Sequence, residues 1–453
     1  MTLATRNPAT GKTVQAFAAL DDTQTDTALQ RVSSAGTGWA MTSHDERAAC
    51  LGRAAQVLRA ERNRLAALIT LEMGKPIREA RAEIEKCAAG CDYYATHAAR
   101  LLADEIIASD AGRSLVTFQP LGTLFAIMPW NFPFWQAFRA AAPALAAGNT
   151  VVLKHASNVP QCALAIEEVF RASFPADVLQ TLLIGPEAAE RLIADPRIHA
   201  VTLTGSESAG RRIAAAAGAQ LKKTVLELGG SDPFVVLHDA DLDEAARVAI
   251  AARFQNSGQS CIAGKRFILV PEIAEAFLAR FKARVMQLKQ GDPASEDTDV
   301  GPLARADLRD ALHRQVTESI QRGAVPILGC EPLPGPGFFY RPSILDQVVP
   351  GMPAFDEELF GPVAAVIRAD SEADALRLAN NHRYGLGGSV WTQDLKRGEA
   401  FARAMECGQA FVNGLVKSDP RLPFGGIKAS GYGRELSLAG IREFVNQKTI
   451  WVK

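Results

Sequence analysis

Apolar and polar positions recur along the chain in two distinct rhythms. Between residues 21 and 100 the apolar positions have helical spacing, and Ser43 and Glu46 form a capping-box pattern at the start of one segment. Residues 114–128 change to β-branched and aromatic residues interrupted by one proline and one glycine. The pattern therefore predicts a helical region followed by two extended segments joined by a turn.

From about Gly148 onward, short apolar strands alternate with alanine-rich helices. Strands at 150–154 and 200–205 belong to a first set, and a second set begins at Lys223. Because strands separated by helices need crossover connections, this alternation predicts parallel sheets and an α/β fold. We place a domain boundary near residues 229–230. The second set continues with strand-like runs and helices at 233–237, 267–270, 272–288, 302–322 and 364–369.

Length, charge and cysteine content narrow the class of protein. The 453 residues predict two or three domains. The 49 basic residues balance 50 acidic ones, a composition that lacks the clustered positive charge typical of nucleic-acid or membrane binding. Residues 1–20 lack the apolar core of a secretory signal, and the apolar runs fall short of the ~18 residues of a membrane span. Seven scattered cysteines without a Cys-x-x-Cys pair predict a cytoplasmic protein with no metal site.

Cys261 is the thiol whose neighbours favour chemistry most. Gly258 and Ser260 are small enough to bring backbone N–H groups close to the sulfur, and we expect Lys265 and Arg266 to add positive charge nearby. Read alone, the segment is equally compatible with a buried structural thiol. The other six cysteines lie in apolar or helical surroundings typical of small buried side chains.

Three other segments offer groups that a Cys-based reaction would use. The rigid PWNFP loop holds Asn131, whose amide could be an oriented donor to an oxyanion or part of a structural turn. Glu227 is the last residue of an apolar strand. A carboxylate among apolar residues there would have a raised pKa and would suit a general base, but an exposed glutamate at a strand end would give the same sequence pattern. Residues 205–210 form a strand-to-helix turn that lacks a nucleotide-binding fingerprint. We assign His155 no role.

Eight motifs spread over nearly the whole chain carry a family resemblance. The motifs are NPATGK (7–12), EMGKP (72–76), PWNFP (129–133), TGS (204–206), ELGG (227–230), GQSC (258–261), EELFGPV (357–363) and PFGGIKASGYGRE (423–435). In this order and spacing they resemble the aldehyde dehydrogenase superfamily. The resemblance implies two Rossmann-like α/β domains, one nucleotide-binding and one catalytic, plus a small β oligomerisation arm. The implied ranges are 1–103 and 121–229 for the NAD(P)-binding domain, 230–429 for the catalytic domain, and 104–120 and 430–453 for the arm.

The resemblance also implies the catalytic and cofactor-binding roles. Cys261 would attack the aldehyde carbonyl, Asn131 and the Cys261 backbone N–H would hold the oxyanion, and Glu227 would activate the hydrolytic water. The cofactor would be NADP or NAD. Ser157 stands where members restricted to NAD have a glutamate that repels a 2′-phosphate, so we expect NADP to be accepted. The implied cofactor-binding residues are Trp130, Lys154, Ser157, Gly205, Ser206, Glu358 and Phe360.

Within the superfamily the chain resembles bacterial NAD(P)-using succinate-semialdehyde dehydrogenases, on the phrases LKHASN, VLELGGSDPF and FQNSGQSC. Arg139 and Ser418 match contacts to the substrate carboxylate. Gln255 replaces a second arginine found in better-known relatives, which we expect to loosen specificity. Ala263 leaves Cys261 without a redox partner thiol. The resemblance implies a homodimer or homotetramer.

Other functions stay open as alternatives. One is a broader-specificity dehydrogenase of semialdehydes or aliphatic aldehydes. A second is a CoA-acylating aldehyde dehydrogenase, which would not need Glu227 to activate water. A third is a nicotinamide-independent cysteine acyltransferase or hydrolase, in which Lys154, Glu358 and Phe360 would have no cofactor to bind. A noncatalytic member of the superfamily would have no need of the intact Cys261.

Overall fold

Four helices fill the amino-terminal region, as the helical spacing predicts. The computed structural model describes residues 3–453. The capping box at Ser43 is formed, because its hydroxyl accepts from the Glu46 N–H at 3.2 Å while the Glu46 carboxylate accepts from the Ser43 N–H at 2.7 Å. The α-helices are α1 (Asp22–Ala40), α2 (His44–Ala60), α3 (Arg62–Met73), α4 (Ile77–Leu101), α5 (Pro133–Ala146), α6 (Pro160–Ser173), α7 (Pro186–Leu192), α8 (Glu207–Ala219), α9 (Leu242–Phe254), α10 (Ala274–Val285), α11 (Ala306–Gln321), α12 (Pro353–Asp356), α13 (Glu372–Asn380), α14 (Leu395–Ala404) and α15 (Ser437–Ile441).

Most of the strands form two large sheets. The strands are β1 (Leu3–Arg6), β2 (Thr13–Phe17), β3 (Glu105–Ile106), β4 (Arg113–Pro120), β5 (Thr123–Met128), β6 (Thr150–His155), β7 (Leu179–Thr181), β8 (Ala200–Thr204), β9 (Lys223–Glu227), β10 (Asp232–Val236), β11 (Gly264–Leu269), β12 (Val325–Leu328), β13 (Ser343–Asp346), β14 (Val363–Arg368), β15 (Tyr384–Gly385), β16 (Gly387–Trp391), β17 (Gln409–Val412), β18 (Ile427–Lys428), β19 (Gly431–Tyr432) and β20 (Val445–Val452).

The first large sheet has six strands in the order β19-β9-β8-β5-β6-β7, all parallel except β19. Every residue of β5, β6 and β8 is buried, as expected for strands covered by helices on both faces. The carboxyl ends of β5, β6 and β8 therefore lie side by side at one edge. Ligands of open α/β sheets bind at such an edge.

The second large sheet has seven strands in the order β12-β13-β14-β11-β10-β16-β17, all parallel except β12. Its central strands β10 and β11 are entirely buried. A separate hydrophobic core surrounds this sheet, with Phe234, Phe267 and Trp391 at its centre. Two parallel sheets with crossover helices confirm the predicted α/β fold class.

A third sheet joins the two segments that we assigned to an oligomerisation arm. Strand β20 pairs antiparallel with β4 over its whole length, and β3 pairs on the other side of β4. Ile450, Trp451 and Val452 of β20 are exposed. Strand β19 lies within the range assigned to the arm, but it pairs with β9 of the six-stranded sheet.

The described residues show no membrane-spanning or metal-binding feature. Within residues 3–453, no helix has the length and apolar content needed to cross a bilayer. The same residues contain no group of three or more acidic, histidine or cysteine side chains placed to hold a metal ion. The seven cysteines are all free thiols.

Candidate active site

Cys261 follows a tight turn that ends α9. Residues Asn256 and Ser257 adopt left-handed backbone angles, with φ of 55° and 54°, and Gly258 follows with φ of 76°. The backbone of a non-glycine residue is strained at such positive φ angles, and it keeps this conformation only where surrounding contacts stabilise it. The Asn256 amide supplies that support, because its Nδ2 donates to the carbonyl oxygens of Asn131 at 2.7 Å and Gln259 at 2.9 Å. The turn therefore ties the nucleophile segment to the PWNFP loop.

The Cys261 thiol lies where two cavities meet. One cavity has a volume of about 350 Å³ and the other about 240 Å³, and both are lined by Cys261 and Gln136. The larger cavity is lined by the predicted cofactor residues Trp130, Gly205, Ser206, Glu358 and Phe360. The smaller cavity is lined by the predicted substrate residues Arg139, Gln255 and Ser418. A group at the sulfur can therefore contact ligands in both cavities.

The charges around Cys261 differ in part from the sequence-based expectation. Arg266 is fully buried and donates to the backbone carbonyls of Ser231, Leu378 and Ala379, so its guanidinium is a structural group. Lys265 does lie close, since its Nζ donates to the Cys261 carbonyl at 2.8 Å.

Burial raises the pKa of the Cys261 thiol to about 12, although Arg139 and Lys265 favour the thiolate. The thiol is therefore protonated at neutral pH in this state. Its reaction needs a group that removes the proton or a further positive charge beside the sulfur.

The Asn131 amide is held in one orientation. Its Oδ1 accepts from Gln136 Nε2 at 3.1 Å, which identifies the other amide atom as the donor. Nδ2 donates one hydrogen to the Gln259 carbonyl at 3.1 Å, and its second hydrogen has no acceptor among residues 3–453. Asn131 is buried and lines the larger cavity with Cys261. The structure thus places a pre-oriented donor in the cavity that contains the thiol.

Glu227 is buried at the end of β9, where neither carboxyl oxygen has a hydrogen-bond partner among the described residues. Burial raises its pKa well above the usual range, and the neighbouring carboxyl of Glu435 raises it further. Arg139 opposes both effects and forms an ion pair with Glu435. Burial raises the pKa of Glu435 as well, and Arg139 opposes the shift there too.

In this conformation the Glu227 carboxyl borders neither cavity and packs against Gly425, where an added Cβ would lie 2.6 Å from Oε1. The structure thus brings Cys261 and Asn131 together and leaves Glu227 outside the cavities. Glu227 must rotate to reach a water molecule at the sulfur.

The predicted cofactor residues cluster at the carboxyl edge of the six-stranded sheet. Ser206 caps α8, and Gly205 precedes it, so the positive end of this 13-residue helix faces the edge. The Trp130 and Phe360 rings make an edge contact with centroids 5.7 Å apart. Glu358 accepts from the Gly230 N–H at 3.2 Å and pairs with Lys265 at 3.0 Å.

Lys154 and Ser157 lie beside this edge but do not line the larger cavity. Lys154 is the penultimate residue of β6 and is buried, and burial lowers its pKa. Among residues 3–453 no carboxylate or hydrogen-bond partner contributes to that shift. A buried cation at the carboxyl end of this sheet, together with the α8 N-terminus and the Trp130–Phe360 pair, fits a dinucleotide with anionic groups. His155, to which we assigned no role, is a buried structural residue that contacts the Pro133 carbonyl at 2.8 Å.

The predicted substrate residues have unequal surroundings. Arg139 is buried, pairs with Glu435, donates to Thr204 Oγ1 at 3.2 Å and lies over the Phe424 ring. Gln255 is exposed at the smaller cavity. Ser418 is buried and accepts two hydrogen bonds, described below.

Four residues of the site were absent from our sequence-based assignment. Gln136 orients Asn131, Glu435 pairs with Arg139, and Lys86 and Trp135 line the smaller cavity. Gln136 and Trp135 follow Asn131 within five residues, so their closeness to the PWNFP motif was a signal that could have identified them. Lys86 lies far from every catalytic motif, and only tertiary packing brings it to the site.

Comparisons with known proteins agree with this geometry. The chain matches the aldehyde dehydrogenase family over residues 1–450. A protein of Synechocystis sp. named "Probable succinate-semialdehyde dehydrogenase (NADP+)" is 51% identical over 453 residues that cover 100% of both chains. The succinate-semialdehyde dehydrogenase (NADP+) of Mycolicibacterium paratuberculosis is 49% identical, covering 100% of this chain and 97% of its own.

A solved structure has the same fold. The crystal structure of succinic semialdehyde dehydrogenase from Streptococcus pyogenes, in complex with NADP+ as the cofactor, is similar with a TM-score of 0.97 at 37% identity over 99% of each chain. The resemblance found in the motifs is thereby confirmed, and this chain belongs to the aldehyde dehydrogenase family.

Proposed function

We propose that this protein oxidises succinate semialdehyde to succinate with NADP+ or NAD+ as the hydride acceptor. The observation that carries the proposal is the position of Cys261 at the junction of two cavities, one lined by the cofactor residues and the other by cationic and hydroxyl side chains. Relatives of about 50% identity over the full length are named for this substrate and NADP+. The structural neighbour was solved with NADP+.

The first half of the reaction uses Cys261 and Asn131. The Cys261 thiol gives its proton to solvent, the thiolate sulfur bonds to the aldehyde carbon, and the carbonyl π electrons move to oxygen to give a thiohemiacetal anion. The oxyanion accepts hydrogen bonds from the unused Nδ2 hydrogen of Asn131 and from the backbone N–H of Cys261. NADP+ or NAD+, when bound, supplies a positively charged ring that takes up the hydride. The carbon is thereby oxidised, and a thioester remains on Cys261.

The second half of the reaction hydrolyses this thioester. Glu227 rotates from its position against Gly425 and accepts a proton from the attacking water. Its raised pKa suits this role, because a carboxylate with a raised pKa is, once ionised, a stronger base than an exposed one. Succinate leaves, and the thiol is restored.

Asn131→Ala is expected to lower kcat by about 10²- to 10³-fold, because the removed donor acts on charge that develops in the transition state. Cofactor affinity should stay near the wild-type value. Steady-state kinetics with succinate semialdehyde and a fluorescence titration with NADPH measure the two quantities. The matched control is Asn63→Ala on the exposed surface of α3. A loss of similar size in both variants would contradict the role of Asn131.

Ser157→Glu is expected to shift cofactor use from NADP+ toward NAD+. The new carboxylate repels a 2′-phosphate near Lys154, and the ratio of kcat/KM for NADP+ to that for NAD+ should fall about tenfold or more. Ser157→Ala is the neutral control, since it removes the hydroxyl without adding charge. A ratio that Ser157→Glu leaves unchanged would place the 2′-phosphate elsewhere.

The domain and assembly assignments are further parts of the proposal. We infer an NAD(P)-binding domain at 1–103 and 121–229, a catalytic domain at 230–429, and an arm at 104–120 and 430–453, within which β4 and β20 form the arm sheet and β19 joins the six-stranded sheet. The exposed apolar residues of β20 support an arm that pairs with a second copy in a homodimer or homotetramer, because such strand edges are usually covered. We place the protein in the cytoplasm, which suits its free thiols.

Cofactor reduction tests the proposed function directly. Purified protein is mixed with NADP+ or NAD+ and a panel of aldehydes, and the absorbance of reduced nicotinamide is followed. We expect the highest kcat/KM for succinate semialdehyde. A preference for neutral aldehydes would indicate the broader-specificity alternative, and no cofactor reduction with any aldehyde would contradict the proposal.

A further inference from the structure

Three side chains in the smaller cavity form a cluster that we call the distal cluster: Lys86, Trp135 and Ser418. Lys86 Nζ donates to Ser418 Oγ at 2.7 Å and lies 4.5 Å from the centre of the Trp135 ring. The Trp135 indole N–H donates to the same Ser418 oxygen at 3.0 Å. All three line the cavity that contains Cys261.

The distal cluster has more donors than acceptors. Ser418 Oγ accepts two hydrogen bonds, and its own O–H has no acceptor among the described residues. Lys86 has no acidic partner there either. On the same helix, Glu85 pairs with Arg59, and Glu83 is occupied by an ion pair with Lys75 and by two backbone N–H groups at the start of α5. A cation half-removed from water without a counter-charge is costly, so this cluster is suited to an anion that arrives from outside.

The other polar groups of the cavity differ from Lys86 in charge, partner or burial. The charge of Arg139 is neutralised by Glu435, and one guanidinium nitrogen is used by Thr204. Gln255 is neutral and exposed, and Lys417 is exposed at the rim. Lys86 is therefore the partly buried cation of the cavity without a charged partner.

We propose that Lys86, together with the Ser418 hydroxyl, binds the carboxylate at the far end of the substrate and determines specificity for carboxylate-bearing aldehydes. This inference rests on the proposed function and deepens it. Lys86 thus supplies the second cation that Gln255 does not.

The titration of Lys86 gives this proposal a characteristic pH dependence. The pKa of the Lys86 ammonium is lowered to about 8, mainly by burial and also by Arg139 and Lys75, while Cys87 and Glu83 oppose the shift. Lys86 is charged below that pH and loses its charge as pH rises through it. The affinity for a carboxylate should fall over the same range, whereas reaction with a neutral aldehyde should not follow this titration.

The experiment compares succinate semialdehyde with butanal, a neutral aldehyde of the same chain length, in the full-length protein. The specificity ratio is kcat/KM for succinate semialdehyde divided by kcat/KM for butanal. A variant that disturbs Cys261 or Glu227 changes kcat/KM for both substrates, so that change cancels in the ratio. Lys86→Met should lower the ratio by about 20-fold or more, as expected for the loss of a charge-assisted hydrogen bond. Lys417→Met, the control at the rim, should change it less than about twofold.

The pH profile separates binding from a structural role. The wild-type ratio should fall as pH rises through about 8, and Lys86→Arg should keep a flat ratio because its guanidinium stays charged. If Lys86→Met fails to fold, Lys86→Arg and Ser418→Ala carry the test, and Ser418→Ala should lower the ratio. An unchanged ratio in Lys86→Met, equal losses on both substrates, or a wild-type pH profile in Lys86→Arg would overturn the inference. A wild type that does not prefer succinate semialdehyde would instead contradict the proposed function.

Discussion

Replacing Cys261 by serine is expected to lower kcat/KM for aldehyde oxidation by about 10⁴-fold or more. Burial already raises the pKa of the thiol to about 12, so the site disfavours even a thiolate. A serine hydroxyl is a weaker acid than a thiol, and its alkoxide would be still harder to form in the same place. Serine is close to cysteine in size, so the cofactor cavity should stay intact and NADPH should bind with near wild-type affinity.

The matched control is Cys407→Ser. Cys407 is half-buried, borders neither of the two cavities, and donates to the Gln409 carbonyl at 3.1 Å, a bond that serine can also make. Its activity should stay within about twofold of wild type. A Cys261→Ser enzyme that retains most of the activity would exclude a covalent mechanism at this position.

Glu227→Gln is expected to slow the steady state by about 10²- to 10⁴-fold while leaving the first turnover largely intact. Glutamine has the same shape as glutamate but cannot accept the proton from water, so the thioester should accumulate. Rapid mixing with NADP+ and succinate semialdehyde should give a burst of NADPH approaching one per active site, followed by slow turnover.

The size of the burst distinguishes two roles of Glu227. A slow first turnover without a burst would indicate that Glu227 acts before the thioester, as the base for the Cys261 thiol. Glu227→Asp keeps a carboxylate on a shorter side chain and should recover part of the steady-state rate. Recovery by aspartate supports proton transfer, whereas a purely steric role would not depend on the carboxylate.

Hydrophobic pattern predicted the central strands because those strands are apolar on both faces. Strands β5, β6 and β10 are buried throughout, and each was visible as a short run between helices. Strand β16 was not predicted, since it begins with two glycines. The structure explains the first of them: a Cβ at Gly387 would lie 2.6 Å from the Asp232 carboxylate. Glycine is required there because the Asp232 carboxylate comes so close to the backbone of residue 387. The hydrophobic pattern of the strand itself gives no sign of this contact.

The sequence motifs predicted which residues lie in the site, but they did not predict which residues those side chains contact. Asn131 and Cys261 were assigned from their segments, and the structure brings them to one cavity. Arg139 was also assigned from its position, but its ion pair with Glu435 joins residues far apart in sequence. Lys86 contacts Ser418 through packing of α4 against α5 and the loop before Phe424. Such contacts depend on tertiary structure, and a single sequence carries no local signal for them.

Mass spectrometry of the Glu227→Gln enzyme tests the central claim most directly. The protein is mixed with NADP+ and succinate semialdehyde, quenched in acid during the burst, and digested. The account predicts that the peptide containing Cys261 carries one succinyl group, that omission of NADP+ abolishes this adduct, and that Cys261→Ser abolishes it as well. An unmodified Cys261 peptide in an enzyme that has produced one equivalent of NADPH would contradict the account.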